Sequence, residues 1–146
     1  MARKTDTSAP PRPAELTAEQ LRSAIVKLDR RIAELKAINT GSIPDFGDEA
    51  TKLTNKINAT LQDVFGPDTL EFATYSVSWS SFVRMVIGDT SRYEELRAFE
   101  RGVQSTLATL ESARDIMRER LEDSADFGPN RALRAYQDLD LHSEIA

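Results

Sequence analysis

Apolar residues that recur alternately four and three positions apart constrain this chain more than any other feature. In the first stretch they form one stripe along a helix: Leu21, Ile25, Leu28, Ile32 and Leu35, extended by Ile38. Such a stripe leaves water only by packing against a neighbouring helix. The pattern therefore predicts an all-α protein, either an up-down helical bundle or an elongated helical hairpin with long coiled-coil-like helices.

Capping signals predict where the first two long helices begin and end. Thr17 and Gln20 have the spacing of a capping box, which predicts that the first helix starts at Thr17. Asp45 or Asp48 can cap the second helix, and Gly66 is suited to the turn that ends it. The stripe of this second helix is Leu53, Ile57, Leu61 and Val64.

A third stripe predicts a long last helix from Ser91 to Glu122. Its apolar residues are Leu96, Phe99, Val103, Leu107, Leu110, Met117 and Leu121, with Ala113 in a smaller slot. Gly102 lies within this stretch, although glycine costs a helix about 1 kcal/mol relative to alanine. The missing side chain indicates a place where another helix can cross closely.

The stretch between the second and last helices is ambiguous. Asp68 and Glu71 again have capping-box spacing and predict a short helix from Asp68 to about Tyr75. From Tyr75 to Ile87, alternating apolar residues are typical of a strand, but a lone strand has nothing to pair with. Helical spacing fits as well, so we prefer a helix or an irregular helical segment there.

These segments divide the chain into three regions. Residues 1–16 contain Pro10, Pro11 and Pro13 among small polar residues, which predicts a disordered Pro-rich leader. Residues 17–122 form the helical module. Residues 123–146 begin with breaker-rich DSADFGPN, which predicts a hinge. The alternative for the leader is a proline-rich ligand of a partner domain.

Composition excludes several classes of function. A net charge of −5 makes nucleic acid an unlikely partner, because phosphate-binding surfaces carry a basic excess. The absence of cysteine excludes disulfides and thiol catalysis and suits the cytoplasm. No apolar run reaches the roughly 18 residues of a membrane span, so no membrane partner is expected.

Residues that could perform catalysis are few. The single histidine, His142, lies beside Ser143 and Asp140, without the strand–turn–helix elbow of a nucleophile. Arg134 and His142 are too far apart for the motif of small helical nucleases. Asp138 and Asp140 fall far short of a calcium loop. The sequence therefore predicts no catalytic, cofactor or metal site.

Aromatic residues cluster in the ambiguous stretch, at Phe72, Tyr75, Trp79 and Phe82. One interpretation is a core plug where this segment crosses the long helices. The other is a partner-binding surface, formed above all by Trp79 and Phe82, because aromatic residues dominate interface hot spots.

The segment Asp63–Ser76, DVFGPDTLEFATYS, resembles the helix–FG.D..E(Y/F)–helix signature of N-terminal helical regions in two kinds of bacterial proteins. One kind carries a TIR-like nucleotide-binding domain, and the other carries the Ymh-type domain of abortive-infection or phage-defence proteins. The residues that match are Phe65, Gly66, Asp68, Glu71 and Phe72, with Tyr75 close behind.

The final stretch, Tyr136–Ala146, is similar to the opening of the Ymh-type domain, through Leu141, His142 and Ile145. This resemblance implies that residues 123–146 are a hinge and the truncated start of that domain. The alternative is a tail that docks on the bundle.

Together these features predict a non-catalytic helical sensor or oligomerisation module of a prokaryotic defence-type protein. Its partner would be a protein, either a second copy of the chain or a C-terminal effector domain. The alternatives are a small helical nuclease and a phage or prophage adaptor that binds a host protein.

Overall fold

The computed structural model describes residues 10–84 and 88–127. Its helices are α1 (Ala18–Lys36), α2 (Phe46–Phe65), α3 (Leu70–Tyr75) and α4 (Arg92–Phe127), with short 3-10 turns at Thr40–Ser42 and Trp79–Ser81. Within these ranges the only β-type pairing is an isolated bridge between Arg12 and Thr69. The predicted all-α class is confirmed.

The helix ends follow the local capping chemistry. Thr17 and Gln20 form the predicted capping box, since Thr17 Oγ1 accepts the Gln20 N–H at 3.1 Å and Gln20 Oε1 accepts the Thr17 N–H at 2.9 Å. Asp45 caps α2 by accepting the Asp48 N–H at 3.0 Å. Gly66 ends α2 with a φ of 93°, a conformation that side chains with a Cβ rarely adopt.

Pairs between helices define their directions. In the middle of α1, Asp29 pairs with Arg114 of α4 at 3.1 Å. The end of α1 lies near an earlier part of α4, where Lys36 pairs with Glu111 at 3.3 Å. Lys27 pairs with Asp63 and the later Glu34 pairs with the earlier Lys56 at 3.3 Å, so α1 is likewise antiparallel to α2. Consequently α2 and α4 run in the same direction.

Two parallel helices need a connection that returns along the bundle. After α3, residues 76–84 make this return, which we call the return segment. The Asn58 side chain of α2 holds it by accepting the Val77 N–H and donating to the Val77 carbonyl, both at 2.8 Å. This path differs from a simple up-down order, and the finer prediction of a bundle or coiled-coil-like hairpin is not confirmed.

One hydrophobic core joins the long helices and the return segment. The fully buried large side chains are Phe82, Phe99, Leu28, Ile57, Leu61, Leu110 and Met117. The predicted stripes supply most of this core, because each stripe faces the other helices. Within the described ranges no helix has the length and apolarity needed to cross a membrane.

Three predicted boundaries need correction. Residues 10–16 of the leader are docked on the fold, because backbone groups on both sides of Pro13 bond to residues 68–71. The short helix begins at Leu70 and is capped by Thr69, because the Thr69 hydroxyl accepts the Phe72 N–H at 3.2 Å. The last helix continues to Phe127 and includes the first residues of the predicted hinge.

The remaining predictions fall partly outside the described ranges. In the ambiguous stretch, the preferred helix or irregular helical segment is wrong for residues 76–78, which are extended, and only Trp79–Ser81 forms a 3-10 turn; residues 85–87 lie outside the described ranges. Residues 1–9 of the leader and residues 128–146 also lie outside. The hypotheses about His142 and about the similarity to the Ymh-type opening therefore stay predictions.

Candidate functional site

The residues of the FG.D..E(Y/F) signature lie at the end of α2, in the turn after it and in α3, which together we call the corner (residues 65–75). Phe65 is buried, and its ring lies 5.9 Å from that of Tyr75. Phe72 packs partly buried against the core. Gly66 is needed because the chain turns there at a positive φ. The signature thus shapes a compact turn at one end of the fold.

Residues 10–16, which we call the leader segment, lie along this corner. The Arg12 N–H donates to the Asp68 carbonyl at 3.1 Å, and the Arg12 carbonyl accepts the Leu70 N–H at 2.8 Å. The Ala14 N–H donates to Glu71 Oε1 at 2.8 Å. Prolines at 11 and 13 have no N–H, so they occupy the alternate positions that need none.

Glu71 ties three parts of the fold together. Only 5% of this residue is exposed, and its Oε2 accepts a hydrogen bond from Arg120 of α4 at 2.8 Å. Burial alone would raise the pKa of Glu71, but the hydrogen bonds from Ala14 N–H and Arg120 outweigh it and lower the pKa below its usual range. A carboxylate with this pKa is poorly matched to general-base work near neutral pH.

Tyr75 lies in the same electrostatic environment. Burial raises the pKa of its hydroxyl, the charge of Arg120 lowers it, and the charge of Glu71 raises it again, with a net upward shift. The tyrosine therefore stays neutral well above physiological pH, and it serves the corner as an aromatic packing partner.

Replacing Glu71 tests how strongly its charge holds the fold. Glu71→Gln is expected to lower the free energy of unfolding at pH 7 by about 1 kcal/mol, because Arg120 is half-exposed and its pairing is screened. Since the folded pKa is depressed, this contribution exists above the unfolded pKa and is lost as pH falls through the folded value. Urea unfolding should show that the difference in unfolding free energy between the parent and the variant is smaller at pH 3 than at pH 7.

The control is Glu119→Gln, at an exposed position of α4. It should leave the unfolding free energy nearly unchanged at both pH values. If Glu71→Gln lowered the unfolding free energy more at pH 3 than at pH 7, the assigned direction of the pKa shift would be contradicted.

A second surface lies at the opposite end of α2, around Trp79. The indole Nε1–H donates to the Gly47 carbonyl at 3.1 Å, while 39% of Trp79 remains exposed. Beside it is a hollow of about 230 Å³, which we call the Trp79 hollow. Its wall contains Asp45, Phe46, Gly47, Trp79, Val83, Arg84, Thr90 and Glu95.

Phe82, which the sequence offered as a second residue of a partner surface, is instead fully buried. Its ring lies 5.7 Å from that of Phe99. Gly102 of α4 has no side chain, which lets both the backbone and the ring of Phe82 lie close against α4. Phe82 is therefore a core plug, as the first interpretation of the aromatic cluster predicts, whereas Trp79 is exposed.

Several residues that hold these sites and the return segment were not singled out from the sequence, among them Asn58, Arg120 and Ala14. Asn58 gave the clearest signal, since a polar residue that favours turns lies within the predicted second helix. Arg120 and Ala14 gave no signal, because their roles depend on a glutamate distant in sequence. Among the described residues no group of His, Asp and Glu could hold a metal ion.

Comparisons of the chain with protein-family models, with curated proteins and with solved structures give no match. The resemblance to Ymh-type and TIR-associated helical regions stays a prediction.

Proposed function

We propose that this chain is a non-catalytic helical interaction module of a prokaryotic defence-type protein, and that it self-associates through the Trp79 hollow. The observation that carries the proposal is the exposed, fixed indole of Trp79. The resemblance described above favours the same role, because similar helical regions precede different C-terminal domains. The lack of cysteine is consistent with work in the cytoplasm.

The chemistry around Trp79 suits a protein interface. Tryptophan is strongly enriched among residues that dominate binding energy, because a large rigid surface is buried at little entropic cost. The bond to Gly47 fixes the indole in advance, so binding does not need to order it. Arg84, which also pairs with Glu94 at 2.7 Å, and Glu95 line the hollow and provide both charge signs, which suits a self-complementary contact between two copies.

The non-catalytic part of the proposal has its own support. Glu71, the buried carboxylate, already accepts hydrogen bonds on both oxygens from Ala14 and Arg120. Asp29 pairs with Arg114 and Arg118 between α1 and α4. These charged groups have structural partners, and a helical module that works by contact needs no further chemistry from them.

Trp79→Ala is expected to weaken self-association by at least about tenfold, because truncating an interface anchor typically costs 2 kcal/mol or more. Sedimentation velocity across a wide range of chain concentrations measures the effect. Circular dichroism should show that the variant keeps its helices, since the indole is only partly buried.

Tyr93→Ala is the matched control, because Tyr93 is also an exposed aromatic residue, 63% accessible, near the start of α4. It should leave association unchanged. A parent chain that stays monomeric at every concentration would contradict the self-association. An equal loss of self-association in both variants would mean that Trp79 is not the anchor of the contact.

A further inference from the structure

The leader segment lies between two cavities that it leaves open. One, of about 310 Å³, separates it from Leu21, Arg120 and Ser124 near the end of α4. The other, of about 610 Å³, separates it from Val64 and Phe65 at the end of α2. Ala14, Glu15 and Leu16 line both cavities. The segment therefore occupies the centre of a larger groove without filling its flanks.

The contacts that hold the leader segment are specific but few. Two hydrogen bonds involve the Arg12 backbone and one involves the Ala14 N–H, Ala14 and Leu16 pack partly buried against the core, and the prolines themselves are exposed. Hydrogen bonds of this kind contribute modestly, so the segment can open without unfolding the helices. The groove beneath it would then present the Asp68 carbonyl, the Leu70 N–H and the Glu71 carboxylate.

We infer that the corner is a docking site for an extended, proline-interrupted segment of a partner protein, and that the leader segment occupies this site in cis. The chain itself supplies the template for such a ligand. In the leader segment, the N–H groups of Arg12 and Ala14 donate to the corner, and prolines occupy the positions before each of them. Prolines also restrict the free segment toward extended conformations, which reduces the entropy lost on docking.

A partner segment must displace the leader segment, so it needs contacts that the leader segment does not make. A tethered segment has an effective concentration of about millimolar or higher, so an identical free segment competes poorly. The two open cavities provide the additional contact surface. A partner with a large apolar side chain at the position of Ala14 can extend into them, whereas the alanine methyl group leaves them empty. The preferred partner is therefore an extended Pro-x-Pro-Leu type of segment.

Direct peptide binding to the full chain tests this site. In the variant Arg12→Pro/Ala14→Pro, the leader segment loses both N–H donors but stays proline-rich. Fluorescence anisotropy with a capped, labelled peptide of residues 10–16, PPRPAEL, should show saturable binding to this variant. Binding to the unmodified chain should be at least about tenfold weaker, because the tethered segment competes.

Two altered peptides test which contacts decide. The peptide with Ala14→Leu should bind about tenfold or more tightly than PPRPAEL, because its side chain reaches an open cavity. The peptide with Ala14→Pro should bind at least about fivefold more weakly, since it lacks the N–H that Glu71 accepts. Adding Glu71→Gln to the receptor should weaken PPRPAEL binding in the same direction.

A second measurement uses the unmodified chain, in case the double variant folds poorly. Excess Ala14→Leu peptide should speed hydrogen exchange at the Arg12 and Ala14 amides, as the leader segment is displaced. No saturable binding to the folded double variant, or no change in exchange when that variant cannot fold, would overturn the inference.

The corner could instead bind the leader segment of a second copy of the chain. Experiments can distinguish this occupant from the partner protein and from self-association through Trp79. A dimer of the unmodified chain that disappears on Ala14→Pro would make a second copy the occupant and overturn the assignment to a partner protein. Trp79→Ala should leave peptide binding unchanged, because the Trp79 hollow lies at the other end of α2. Failure of self-association through Trp79 therefore leaves the peptide result intact.

Discussion

Leu28→Asp is expected to destabilise the fold strongly, and to unfold it if the parent has only about 5 kcal/mol of stability. Leu28 is fully buried in α1, where the core residues of the other long helices surround it. The change removes an apolar side chain and leaves an unpaired charge, with a combined loss of about 4 to 6 kcal/mol. Single domains have only about 5 to 15 kcal/mol of stability in total. Far-UV circular dichroism and urea unfolding measure the loss directly.

Val26→Asp is the matched control for this experiment. Val26 lies on the same helix two residues earlier, but 58% of it is exposed. The same new carboxylate at that position should change the unfolding free energy by less than about 0.5 kcal/mol. Equal destabilisation by both variants would mean that the faces of α1 are assigned incorrectly.

The parts of this fold that sequence predicts well depend on contacts close along the chain. A capping box needs only Thr17 and Gln20, three residues apart, and the structure has both of its hydrogen bonds. Gly66 likewise ends α2 where its positive φ is required. The stripes of α1 and α2 were predictable for the same reason, because helical period alone decides which side chains share a face.

The return segment shows what sequence pattern cannot supply. Alternation at Tyr75, Val77 and Trp79 is typical of a strand, but the sequence favours a helical segment because a lone strand lacks a partner. The backbone is extended at residues 76–78, between α3 and the 3-10 turn, where it would need such a partner. The structure provides one from a side chain, since the amide of Asn58 makes both hydrogen bonds that a neighbouring strand would make to Val77. No local pattern reveals that a helical asparagine replaces a strand.

The sequence predicts a helix end and a short helix at the corner, but not that the corner holds the leader segment. Phe65, Glu71 and Phe72 are close along the chain, so local pattern is enough to predict helix there. The docking of Ala14 onto Glu71 joins residues 57 positions apart. The prolines before Ala14 suggested disorder by composition, and composition cannot show that the intervening N–H groups have acceptors elsewhere.

Gly102→Ala is expected to lower the free energy of unfolding by about 2 to 3 kcal/mol, although alanine is the better helix former by about 1 kcal/mol. A Cβ at Gly102 would lie 2.4 Å from the Ser81 carbonyl oxygen and 2.8 Å from Phe82 Cα. Both atoms belong to backbone and cannot rotate away. The sequence suggested a close helix crossing here, and the structure shows that the return segment is what approaches.

The matched control is Gly41→Ala, because a Cβ there meets only the Asn39 Oδ1 atom at 3.5 Å, an ordinary contact. Its stability should be unchanged or slightly higher. Since the 3-10 turn pressed against Gly102 also carries Trp79, Gly102→Ala should weaken self-association along with stability. Chemical unfolding and sedimentation velocity on both variants measure the two effects. A Gly102→Ala chain as stable as its parent would mean that the return segment is not packed against α4.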